Sequence, residues 1–148
     1  MDVINKLKQT PETLFTLTQS LDREVLNYRP NGKWSIIIHV GHLLTMESLW
    51  IARLDDFFLD REPLRPWNGH NRDTEDGQFE LQNIDQILID FKQLRVAHLS
   101  MLEKHYNSLK EKSSYLEAEN KRLSFDEHLN IMLEHDEKHL AIIQMRLA

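Results

Sequence analysis

Cysteine is absent from the chain of 148 residues. That excludes disulfides, thiolate metal ligands and a cysteine nucleophile. Glycine and proline number only 4 each, too few to punctuate a fold of many short strands, so the chain reads as long helices separated by a few breaks. No apolar run approaches the roughly 20 residues of a membrane helix. The opening segment MDVINKLKQT lacks the apolar core of a secretory signal, so a cytoplasmic location with no membrane partner is the expectation. Basic residues are also in deficit, 18 against 24 acidic for a net charge of −6. With no local patch of opposite sign, phosphate backbones are repelled and nucleic acid is not an expected partner. What the chain has in quantity is histidine, 8 in all.

With 41% hydrophobic and 28% charged residues, the composition is that of one globular domain over residues 1–148, a length that buries roughly 68–70% of its unfolded surface. Thr10 before Pro11 has the form of a helix start, because proline in a first turn needs no amide donor. Leu14, Leu17, Leu21 and Val25 continue that helix toward a turn over Asn27–Gly32. Ser35 has the form of a cap for a second helix reaching about Asp60, with Ile38, His42, Leu49 and Ala52 facing inward. Gly41 within it costs about 1 kcal/mol relative to alanine, which a close helix contact would offset. Arg61 to Gln82 is a long polar connection. A third helix is expected from Asn83 to about Lys112, with a seam of Ile87, Phe91, Leu94, His98, Met101 and His105. After a polar connection from Ser113 to Leu123, the sequence Ser124-Phe125-Asp126-Glu127 is a capping box opening a fourth helix that runs nearly to Ala148. Four amphipathic helices without a strand pattern predict an all-α four-helix bundle.

His135 and His139 lie four residues apart on the fourth helix, so both project from one face and can reach a single ion. Chance alone places about 0.4 such pairs in a chain of this histidine content, so the spacing by itself is a weak signal. A third histidine strengthens it. His42 lies about 10 Å inside the second helix, and the pair lies roughly 13–20 Å from the end of the fourth, so antiparallel helices bring the three together. Three imidazoles leave coordination positions open for water or substrate, as catalytic rather than structural sites do. His98, His105 and His128 remain alternatives that replace or augment a ligand. His39 is expected to face another neighbour, and His70 falls in the long connection with a surface role. The segment His135-Asp136-Glu137-Lys138-His139 is not a zinc-peptidase motif, because Asp136 stands where that chemistry places its glutamate base. No downstream ligand is expected from the nine residues that follow His139.

Trp34-Ser35 leading to His42-Leu43, together with Glu134-His135-Asp136 and His139-Leu140, resembles the DinB/YfiT-like superfamily of small helical metalloproteins. The likeness extends through helix order over nearly the whole chain. It implies a four-helix bundle in which His42, His135 and His139 hold a metal. Ile38 departs from the pattern, standing where relatives commonly carry an acidic or amide residue, so the second helix lacks a capping box.

Members of known activity transfer low-molecular-weight thiols, so the resemblance implies a thiol cosubstrate that brings the sulfur this chain lacks. A divalent ion favours thiolate over thiol. Imidazole ligation leaves Zn, Ni, Fe, Mn or Co as candidates. The leading expectation is a metal-dependent enzyme transferring a thiol to a small electrophile. The alternatives are a metal-dependent hydrolase, a non-catalytic bundle, and a dimeric interaction module, a homodimer being the expected assembly in the last case. Glu47, Glu134 and Asp136 are candidates to orient ligands or transfer protons, although solvated helix carboxylates are the commoner case. Trp50, Phe57, Phe58 and Trp67 line a pocket mouth or fill the core.

Overall fold

The computed structural model describes residues 2–68 and 71–148, which leaves the reading of His70 outside the described residues. Its first departure from expectation is at Thr10. Helix α1 spans Asp2–Thr18 and carries Pro11 in its interior. Proline has no N–H, so the carbonyl of Leu7, four residues earlier, loses its partner within the helix. The guanidinium of Arg95 supplies it instead, with Nη1 donating to Leu7 O at 3.0 Å. Thr10 is therefore no cap; its hydroxyl donates to Asp136 at 2.7 Å in the protein interior. The helix expected to continue to Asn27 is broken. A short α2, Arg23–Asn27, follows with Asp22 accepting from the amide of Val25, and Val25 itself is exposed.

Helix α3, Ile36–Phe58, starts after Ser35 as expected. The Ser35 side chain makes no capping bond, in keeping with the missing capping box, and its buried Oγ has no partner. The first turns of α3 are buried on every side, from Ile36 to Leu43. A connection then carries a short α4, Arg72–Asp76, and a 3-10 turn, Phe79–Leu81. A Cβ at Gly41 would overlap the ring of Phe79. The close approach that offsets this glycine thus comes from the crossing connection rather than from a neighbouring helix.

Helix α5, Ile84–Lys104, opens at Asn83, whose side chain accepts from the amide of Asp85 at 2.8 Å. Its buried face differs from the expected seam. Leu94 and Met101 are exposed, while Ile87, Phe91, Arg95, His98, Leu99 and Leu102 are buried. The helix stops at His105 rather than Lys112, and a single turn, α6 (Tyr106–Leu109), follows. The next segment is also corrected. Ser113–Leu116 (β1) and Lys121–Ser124 (β2) pair antiparallel, with Ser113 opposite Ser124 and Leu116 opposite Lys121. Four-residue strands are too short to show an alternation that stands out from a loop. Helix α7, Phe125–Leu147, opens on the expected capping box: Ser124 Oγ accepts from the Glu127 amide at 3.1 Å and Glu127 Oε1 accepts from the Ser124 amide at 3.0 Å.

The four long helices pack along the sides α1–α5, α5–α3, α3–α7 and α7–α1. Ion pairs Lys8–Glu103 (2.8 Å) and Lys92–Glu12 (2.7 Å) set α1 antiparallel to α5. Ring contacts His39–His139 and Phe57–Phe125 set α3 antiparallel to α7. Glu47 meets Arg95 while Phe58 meets His105, so α3 and α5 run parallel. Parallel neighbours cannot be joined by a tight turn, so the chain must travel back along the bundle between α3 and α5. That return brings α4 and Phe79 across α3. The apolar core lies in two parts, one around Leu7, Phe57 and Phe125, the other around Leu14, Phe79 and Phe91. Thr10, Glu47, Arg95 and Asp136, one from each long helix, form a polar layer at the level between them. Among the described residues no single helix is long and apolar enough to cross a membrane.

Candidate metal centre

The antiparallel pair α3 and α7 brings His42, His135 and His139 to one place. One nitrogen from each lies within 4.8 Å of the others. The Nε2 atoms of His42 and His135 are 3.1 Å apart. Two nitrogens bound to one zinc at about 2.0–2.1 Å are separated by about 3.4 Å at the tetrahedral angle, so this spacing suits a shared ion. The other nitrogen of His42, Nδ1, lies 2.9 Å from the Thr74 hydroxyl of α4, which in turn lies 2.9 Å from Thr45 Oγ1. With Nδ1–H donating to Thr74, the lone pair sits on Nε2 and faces the cluster; ligating histidines are held by such partners.

His39 corrects an expectation. It is buried, and its Nδ1 lies 2.9 Å from Nδ1 of His139. Residues three apart on a helix are neighbours, which was the signal for its proximity to His42. All these imidazoles are held neutral. Burial, then the neighbouring His135, His39 and Lys138, pushes His42 down to about 3. Burial, followed by His135 and His42, takes His139 down to about 2. His39 is lowered to about 4 by burial and then by Arg146 and Lys138. Burial lowers His135 too, against the opposing charge of Asp136. Neutral rings offer the lone pairs that a cation requires.

The remaining candidates go elsewhere. His98 faces Glu47, with Nδ1 3.2 Å from Oε1, and His105 packs on Phe58 at 5.1 Å between ring centroids. His128 is buried against Trp50 and Phe57, and its Nδ1 has no hydrogen-bond partner. Glu134 is exposed. Glu47 and Asp136 are not solvated carboxylates: both are fully buried and flank Arg95, whose Nε meets Glu47 at 2.5 Å and whose Nη1 meets Asp136 at 2.7 Å. Burial pushes the Glu47 carboxyl up, but the His98 hydrogen bond and the Arg95 charge outweigh it and hold the group below its usual range. Trp50 and Trp67 line the cleft beside the histidines, whereas Phe57 fills the core and Phe58 backs His105.

The cleft that all three histidines line has a volume of about 460 Å³. Trp34 lies over His42, 5.0 Å between centroids, and Trp50 meets the His135 ring edge-on at 5.7 Å. No aspartate or glutamate lines this cleft among the described residues. Its cations, Arg53 and Lys138, were missed in the sequence. Arg53 shares the helical face of His42, Met46 and Leu49, and that periodicity was its signal.

A four-helix bundle carrying an interhelical group of three neutral histidines at a cleft defines a class of small helical proteins with metal-binding potential. The family model of the DinB superfamily matches residues 6–143, and the chain belongs to that superfamily. Among solved structures it is similar to YfiT from Bacillus subtilis, described as a probable metal-dependent hydrolase with an unusual four-helix bundle topology. The identity is 16% and the TM-score 0.80, covering 98% of this chain and 83% of that one, a likeness of fold. No curated protein matches the chain.

Proposed function

We propose that the protein is a metal-dependent enzyme in which His42, His135 and His139 hold a divalent ion and a low-molecular-weight thiol is transferred to a small electrophile. The observation that carries the reading is the convergence of three neutral imidazole donors within 4.8 Å at the wall of an open cleft. A divalent ion bound there lowers the pKa of a coordinated thiol or water and so supplies a nucleophile near neutral pH. Thr74 orients His42 through Nδ1, and His39 does the same for His139. Trp34 and Trp50 exclude water from the faces of the ligating rings. In the transfer, a carbon–sulfur bond forms, the leaving group departs with its electron pair, and the thiol proton passes to solvent.

The acid-free cleft favours thiol over water as the nucleophile. A thiol ionises at about pH 8.5 unaided, whereas water needs a far larger shift and usually a positioned base. Hydrolysis is the second reading, favoured by the fold shared with YfiT, itself described as a probable metal-dependent hydrolase. The test is turnover of electrophiles with a panel of thiols by the metal-loaded protein. Chelator is expected to abolish turnover and one of Zn, Ni, Fe, Mn or Co to restore it. Restored turnover that needs no thiol establishes the hydrolase, and a protein that takes up no metal overturns both readings.

A further inference from the structure

Arg53 is only 5% exposed, yet among the described residues no carboxylate lies within ion-pairing distance of it, and the charges of Asp56 and Glu119 reach it only from farther off. Its Nε donates to the carbonyl of Arg65 at 2.8 Å, which pins the start of the crossing connection to α3. Asp56, three residues further along the same helix and buried like Arg53, is engaged by the amide of Arg65 at 2.9 Å, by Arg65 Nη2 at 3.1 Å and by Arg61 at 3.7 Å. The guanidinium lies over the Trp50 ring at 5.5 Å, and that same indole meets the His135 ring. Burial outweighs those distant charges and disfavours the charged guanidinium, and arginine's planar fork matches a contacting carboxylate through two parallel hydrogen bonds. The surroundings repeat the signal. In a protein of net charge −6, the cleft has Arg53 and Lys138 on its wall and, among the described residues, no acidic side chain. Its other large surfaces are Trp34, Trp50 and Trp67, which are all the tryptophans of the chain.

We propose that the cleft selects a small organic carboxylate, whose anionic end pairs with Arg53 and whose apolar body lies against the indoles. The proposal rests on the preceding reading only in taking the three histidines as the reactive end of the cleft. Arg53 is a specificity-determining residue, separate from the donor group, and it holds the end of the substrate away from the histidines.

Because every tryptophan lines the cleft, intrinsic fluorescence reports its occupancy. The wild-type protein, first treated with chelator and then supplied with zinc, is titrated with phenylacetate, hydrocinnamate and their matching amides. Saturable binding of the acids, about tenfold or more tighter than the amides, is expected in both states. Arg53→Gln is expected to bring acid and amide to equal affinity, with the amide unchanged. Should that variant not fold by circular dichroism, Arg53→Lys carries the test, since it keeps the charge without the fork and lowers the acid preference. His135→Ala is expected to remove a metal donor and leave the preference intact. Failure of the metal reading would therefore show as absent metal with the preference retained. Acids that bind no better than amides, acids that do not bind at all, or a preference that survives Arg53→Gln or Arg53→Lys would overturn the proposal. So would a preference that follows Lys138→Gln instead, or one that appears only with zinc, in which case the ion holds the carboxylate.

Discussion

Two groups of polar side chains are buried between the same helices and use their hydrogen-bonding capacity in opposite ways. In the layer around Arg95, the guanidinium meets Glu47, Asp136 and the Leu7 carbonyl, while Thr10 and His98 complete the carboxylates. Each long helix contributes a partner. A few ångströms along α3 and α7, the histidine group leaves capacity unspent: Nδ1 of His135 is buried with no partner, and Nε2 of His42 and of His135 face each other at 3.1 Å. Sequence neighbours His135 and Asp136 divide between the two, since successive side chains on a helix point about 100° apart. A closed network of opposite charges holds helices together, whereas uncharged donors that face a cleft are free to take up a ligand. Burial is common to both, so burial alone does not mark the functional site.

Removing the centre of the closed network should have the largest effect. Arg95→Met strands two buried carboxylates and the Leu7 carbonyl, and should cost about 3–5 kcal/mol of stability in urea unfolding. A cost under about 1 kcal/mol would break the contrast. His135→Ala should do the reverse, with unfolding shifted by less than about 1 kcal/mol but stoichiometric metal lost in elemental analysis. Full metal occupancy in that variant would refute the ligand set. His39→Ala comes next, because it removes the support of His139 without removing a donor. Metal affinity should fall about 10–100-fold in a competition titration, and an unchanged affinity would reduce His39 to packing.

The effect that is smallest near neutral pH, and grows only on acidification, sharpens the difference between charged and neutral burial. Burial, followed by Arg53 and His98, pushes His128 down to about 3 from its ordinary 6.5. Between those values the unfolded chain binds a proton that the folded chain refuses, so the stability this histidine permits is full above pH 6.5 and declines as pH falls. The slope is up to about 1.4 kcal/mol per pH unit. His128→Leu should reduce the slope of unfolding stability against pH below 6.5 by its own share, measured against wild type at several pH values, and leave the share of the other buried histidines. An unchanged slope would mean that His128 takes up its proton in the folded state.

Legibility in the sequence followed the range of the interactions. The capping box at Ser124 and the cap at Asn83 were readable because both partners lie within three residues. His135 and His139 were readable for the same reason, and His42 joined them through a depth argument along two helices. Thr10-Pro11 misled because the local preference for a helix start was overridden by Arg95, which takes the carbonyl that Pro11 orphans. The seam of α5 was misjudged at the same residue. Pattern reading puts arginine outside, yet here it is the centre of the polar layer and turns Leu94 and Met101 to solvent. The β1–β2 hairpin escaped because its strands are short, and Thr74 because nothing local connects it to a histidine 32 residues away.

The order of residues, taken alone, determined where most long helices lie and that two histidines share a face, since capping and helical periodicity act within a turn or two of chain. Only the tertiary structure decided that Arg95 is inside, that His39 and Thr74 meet the rings of His139 and His42, and that Arg53 lines the cleft with no carboxylate in ion-pairing distance among the described residues. Burying a charge or aligning an imidazole becomes favourable only when partners from distant segments arrive together. That cooperation has no signature in any local stretch of the chain.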